Sequence, residues 1–119
     1  MLILIAGPVR SGTQGDQALI HANLRKMEQV ALAVYQKGHT PVIGEWLALP
    51  LARVAGSEKI GDEISEQFLY PVAHRLIHCC EAILRLPGTS KGADNDVQVG
   101  LAAGLTIFTS VDSIPVIED

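Results

Sequence analysis

Apolar residues follow two rhythms along this chain. Met1 to Ala6 reads MLILIA, an unbroken apolar run that suits a strand buried on both faces, and Gly7 and Pro8 end it. From Asp16, a favoured helix-capping residue, the rhythm lengthens: Leu19, Leu24, Met27, Val30, Ala31 and Val34 predict an amphipathic helix to Gln36, with Gly38 just past its end. Thr40 to Ile43 is a short second strand, and Pro41 places it at an edge or a strand start. Leu47 to Ala55 forms a short apolar helix or a lid. Ile64, Phe68, Val72, Leu76 and Cys80, at steps of four, predict a helix from Asp62 to Cys79, which Pro71 should kink or split.

The stretch from Cys80 to Phe108 is the most informative. Ala82 to Leu86 is a buried strand, Pro87 to Gly92 a turn, Ala93 to Ala103 a helix and Leu105 to Phe108 another strand. Strand, helix and strand in so few residues predict a right-handed parallel crossover unit. Strands alternating with helices throughout imply one α/β domain over residues 1–119, with a parallel sheet ordered 2-1-3-4 and helices on both faces. Ile114 to Ile117 adds a fifth strand or runs as a tail.

Composition narrows the function classes. With 119 residues, 48% hydrophobic and 18% charged, the chain is long enough for a real core. A net charge of -4 argues against a nucleic-acid partner, since phosphate backbones attract basic faces. The opening apolar run is too short to span a membrane and lacks the basic flank of a signal peptide, so the expected location is the cytoplasm, without a membrane partner. Cys79 and Cys80 are adjacent and the only cysteines, which excludes a disulfide scaffold and leaves buried thiols as the reading.

In parallel α/β sheets, ligands bind at the carboxyl ends of the strands. Gly88, Ser90, Gly92, Asp94 and Asp96 collect at one such end, and the loop from Gly7, with Arg10 and Ser11, at another. Backbone amides at the helix starts and Arg10 suit an anion, although Arg10 is equally at home on a surface. The loop after the first strand matches neither the P-loop nor the dinucleotide fingerprint. Asp94 and Asp96 are either first-turn capping residues or a close carboxylate pair, one proton-bearing and one charged. Trp46 is an aromatic packed under a loop or a stacking platform for a base. Glu45 reads as a solvated or helix-capping carboxylate. His74 and His78 lie one turn apart, but without a third ligand of suitable spacing they read as helix-end histidines, and no metal is expected.

These residues carry a resemblance. IAGPVRSG (5–12), CEAILRLPG (80–88) and SKGADNDVQVGLAAGLTIF (90–108) resemble, in register and over nearly the whole chain, the nucleoside 2-deoxyribosyltransferase-like superfamily. The resemblance implies a three-layer flavodoxin-like or Rossmann-like fold, no cofactor, assembly as a homodimer or larger homo-oligomer, and a nucleoside or nucleotide as small-molecule partner. It also implies N-glycosidase or deoxyribosyltransferase chemistry, in which a carboxylate attacks the anomeric carbon and the base departs after protonation. Asp96 stands where the family has a nucleophilic Glu, and a place in the first helical turn would keep it charged. The family's further acid, on the helix before the third strand, has no counterpart in YPVAHRLIHCC (70–80), so Asp94 is the expected acid/base. Gly7, Arg10, Ser11, Trp46, Gly88, Ser90 and Gly92 are the expected substrate contacts, and Asn23 resembles a family Asn.

Two alternatives stand beside the enzyme. Asp is one methylene shorter than Glu and the helix acid is missing, which suits a catalytically degenerate protein that binds a nucleotide or sugar phosphate. A mean hydropathy of +0.27 suits an interaction protein with an apolar surface.

Overall fold

In a computed structural model, which describes residues 1–118, four parallel strands alternate with four helices. The elements are β1 (Leu2–Ala6), α1 (Gln17–Gln36), β2 (Thr40–Val42), α2 (Gly44–Val54), α3 (Glu63–Ile77), β3 (Ala82–Arg85), α4 (Lys91–Ala102) and β4 (Thr106–Phe108). The sheet order is β2-β1-β3-β4, a flavodoxin-like topology, as the alternation of elements predicts. Ile3 pairs with Ala82, Leu4 with Ile83, Ile5 with Leu84 and Ala6 with Arg85, so the central strands end level and their carboxyl ends open onto one place.

Successive side chains of a strand point to opposite faces, and both faces of β1 are covered. Ile3, Ile5 and Leu84 pack with Ile20, Met27, Ala31 and Val34 of α1 and with Ile114. Leu4, Ala6 and Ile83 face Ile77 of α3 and Ala93 of α4. This double coverage is why MLILIA is apolar without alternation. Gly100 lets α4 lie close on the sheet, since a Cβ there would meet Ile83 Cδ1 at 2.4 Å.

Several elements differ from expectation in detail. In α1 the buried stripe contains Ile20, while Leu19 faces solvent, because the helix is phased by its Asp16 cap and by Met27, Ala31 and Val34. The most buried positions of α3 are Ser65, Ala73 and Ile77, one step round from the predicted stripe of Ile64, Phe68, Val72 and Leu76, which is half-buried. Small residues at that line allow α3 to approach its neighbours closely. Pro71 does not split α3: Asp62 caps its start through the Ser65 amide at 2.9 Å, and Ala73 and Ile77 anchor its second half.

The residues after β4 form a single 3₁₀ turn (Val111–Ser113) and then a tail, so the fifth strand does not form among the described residues. The tail is strapped to the turn between α1 and β2. Lys37 Nζ donates to the carbonyls of Val111 and Ile114, the Ile117 amide donates to the Lys37 carbonyl at 2.7 Å, and buried His39 reaches the Pro115 carbonyl through Nε2 at 2.7 Å. Paired with side chains and a loop, the tail's polar backbone has no need of a strand partner. No helix among the described residues is long and apolar enough to cross a membrane.

Candidate functional site

The carboxyl ends of β1 and β3 open into a cleft of about 570 Å³. Its floor is the end of β1, Leu4 to Gly7. Around it stand the loop with Val9, Arg10, Ser11 and Gly12, the start of α2 at Gly44 and Glu45, one face of α3 at Leu69, Tyr70 and Ala73, and the start of α4 from Thr89 to Ala93 with Asp96.

Ser90 sets this geometry locally. Its side-chain oxygen accepts from the Ala93 amide at 3.1 Å, which starts α4 at Lys91, two residues earlier than the pattern predicts. The amides of Lys91 and Gly92 therefore belong to the first turn, where no helical carbonyl reaches them, and both residues line the cleft. Ser90 is buried, and its hydroxyl hydrogen remains free to donate.

The early start also moves Asp96 into the second turn, where the helix dipole has largely faded. The carboxylate is therefore not held in its charged form. Burial pushes its pKa from an ordinary 3.8 up to about 7, the Glu45 carboxylate adds to the rise, and the Arg85 guanidinium opposes it. Glu45 is raised as well, by burial, against the pull of a backbone hydrogen bond and the Arg10 charge. Two acids crowd one cleft, and like charges in such a place cannot both ionise freely.

The partner of Asp96 is thus Glu45 rather than Asp94. Asp94 is 72% exposed and turned outward, where it pairs with Arg85 at 2.8 Å. Arg85 is tied further to the carbonyls of Leu86 and Gly88, which holds the turn after β3. The sequence reads Glu45 as a solvated or helix-capping carboxylate; it does stand in the first turn of α2, but half-buried rather than solvated. It enters the cleft because α2 begins at Gly44, directly off β2, and so sets Glu45 one residue into a helix at the end of a strand. Its place at the carboxyl end of β2 is the local signal for a ligand-facing residue.

Of the remaining expected contacts, Gly7, Arg10, Ser11, Ser90 and Gly92 line the cleft, and Trp46 and Gly88 do not. Trp46 lies on the outer side of α2, its indole N–H donating to Glu28 at 2.7 Å, and neither packs under a loop nor faces the site. Gly88 has φ +112° and sits against Pro8, which brings the loop after β3 onto the loop after β1. Arg10 forms an ion pair with Glu66 of α3 at the cleft's edge. Asn23 donates to the Val9 carbonyl at 2.9 Å and so braces the loop that carries Arg10.

Tyr70 is the aromatic that reaches the cleft. Its hydroxyl lies beside Gly92, and its ring meets His74 edge-on at 6.4 Å. His74 in turn contacts Asn95 Nδ2 at 2.9 Å, linking α3 to α4. No local signal marks Tyr70, because its helix is brought over the sheet only by tertiary packing. No group of three or more His, Cys, Asp or Glu side chains converges on a metal-sized site among the described residues. Comparison with protein-family models, curated proteins and solved structures finds no match.

Proposed function

We propose that the protein cleaves or exchanges the N-glycosidic bond of a nucleoside or nucleotide, with Asp96 as nucleophile and Glu45 as acid/base. The observation that carries the reading is the pair itself: two raised carboxyls facing one cleft at the ends of parallel strands. Crowding two like charges in one cleft favours a shared proton, one carboxyl charged and the other protonated. The resemblance of residues 90–108 to the deoxyribosyltransferase-like superfamily supports the same assignment for Asp96.

The chemistry runs in two displacements. An Asp96 carboxylate oxygen bonds to C1′ as the bond from C1′ to the base nitrogen breaks, and the Glu45 proton goes to the departing base. Glu45, now charged, takes a proton from water or from the nitrogen of a second base. The oxygen or nitrogen so freed bonds to C1′ and releases Asp96. Arg10, the Ser90 hydroxyl and the amides of Lys91 and Gly92 offer donors for sugar or phosphate oxygens, and Tyr70 offers a ring and a hydroxyl near the base.

The test is release of free base from a panel of deoxynucleosides and their 5′-monophosphates, followed by chromatography. Asp96→Ala should abolish release, and Glu45→Gln should lower it by about 10²–10⁴-fold, the usual contribution of general acid–base catalysis. No release from wild type, or equal release from Asp96→Ala, defeats the proposal. Stabilisation by these compounds in thermal shift without any turnover would instead favour a binding protein, a reading that the shorter reach of Asp96 supports.

A further inference from the structure

Arg85 stands between two carboxylates of α4. It ends β3, paired with Ala6 on the cleft floor. Side chains two apart on a strand share a face, so Arg85 lies on the same side of the sheet as Ile83, the side that α4 covers. On α4, Ala93 packs into the Ile83 cluster and Gly100 lies on Ile83 itself. Asp96, three residues after Ala93 and four before Gly100, shares that helical face. The Arg85 guanidinium and the Asp96 carboxyl are thereby delivered to one seam between sheet and helix.

They are nevertheless not bonded to each other. Arg85 is only 16% exposed, and three hydrogen bonds hold it to the carbonyls of Leu86 and Gly88 and to Asp94. Among the described residues, no hydrogen bond or ion pair joins it to Asp96. Stability gives little reason for the Asp94 pair, because an acid as open to water as Asp94 gains little from an ion pair. Its consequence is where the positive charge stays. A guanidinium released from Asp94 and turned onto Asp96 would engage both carboxylate oxygens with its fork and leave neither for a ligand.

The other groups around Asp96 do not compete for this part. Glu45 arrives from α2 with a like charge. Arg10, on the loop after β1, is engaged by Glu66, His74 of α3 is turned to Asn95, and Lys91 is exposed at the start of α4. Tyr70 of α3 brings a neutral hydroxyl. We propose that Asp94 is a positioning residue for Asp96: by holding Arg85 on the turn after β3, it keeps the guanidinium off the Asp96 carboxyl and leaves both carboxyl oxygens open to the cleft. The inference rests on the reading of Asp96 as the reactive carboxylate, and it gives Asp94 a part in the site without contact with substrate.

A carboxyl-carbon NMR titration of the full chain reads Asp96 directly and needs no substrate. In wild type Asp96 should titrate at about 7. Asp94→Ala, at an exposed position, should leave the circular dichroism unchanged and lower the Asp96 midpoint by about one unit or more, the effect of an opposite charge brought into contact. In an Arg85→Gln background, Asp94→Ala should no longer move the midpoint. The acid limb of kcat/KM for base release should shift down with the midpoint in Asp94→Ala. A wild type that releases no base defeats the glycosidase reading alone, and the titration still decides this one. An unmoved midpoint in Asp94→Ala overturns the proposal, whether or not Arg85→Gln folds. An equal shift in the Arg85→Gln background overturns it too, because Asp94 then acts on Asp96 without the guanidinium.

Discussion

Replacing Asp96 by Asn should stabilise the protein, and the gain should depend on pH. Asn keeps the shape of the side chain and removes a charge that burial and Glu45 disfavour. The folded chain holds the Asp96 proton up to about pH 7, while an unfolded aspartate releases it near 3.8. Across that window the folded state binds more protons, so the carboxylate costs stability as pH rises and the cost levels off above about 7. At about 1.4 kcal/mol per unit of pKa, the ceiling is about 4 kcal/mol. Asp96 is only half-buried and its cleft is open to water, and screening reduces the expected gain to about 1–2 kcal/mol. For a chain of this length that is about 3–8 °C in Tm at pH 8. Thermal unfolding of wild type and Asp96→Asn, followed by circular dichroism from pH 4 to pH 8.5, measures it. The curves should converge near pH 4 and separate progressively to pH 7. An Asn variant less stable at pH 8, or a gap that ignores pH, would refute the claim that this carboxylate is crowded and desolvated.

Other positions test the scaffold. Gly100→Ala should lower stability by about 1–3 kcal/mol in urea unfolding, because the added methyl overlaps Ile83 in the core. Ser90→Ala should cost about 1 kcal/mol by the same measurement, since the Ala93 amide loses its cap, and should weaken any ligand that the start of α4 holds. Asp62 accepts from the amides of Glu58, Lys59 and Ser65 and from the Ser57 hydroxyl, which hold its carboxyl well below the usual carboxylate range. Its stabilisation is present above about pH 4 and lost as acid protonates it, so Asp62→Ala should lower Tm at pH 7 by a margin that shrinks toward pH 2.

Local chemistry determined much of this protein. The unbroken run at Leu2–Ala6 needs no tertiary information to be read as a central strand, because only a strand covered on both faces dispenses with alternation. Asp16 and Gly38 bound α1 for equally local reasons, a side chain that caps and a backbone that turns left-handed. From strands alternating with helices, the sheet order and the end that bears the cleft follow.

The pairing of side chains inside the cleft is a different matter. Asp94 and Asp96 are two residues apart in sequence yet face opposite environments, because residues two apart on a helix do not share a face. Glu45 and Asp96 are far apart in sequence and meet because β2 and β3 flank β1, each delivering a helix to the same end of the sheet. Tyr70 replaces Trp46 as the aromatic of the cleft for the same reason: which side of a helix faces inward depends on what it packs against. Periodicity and capping act over a few residues and are written in the chain. The company that each side chain keeps is decided by elements arriving from elsewhere, and only the folded arrangement specifies it.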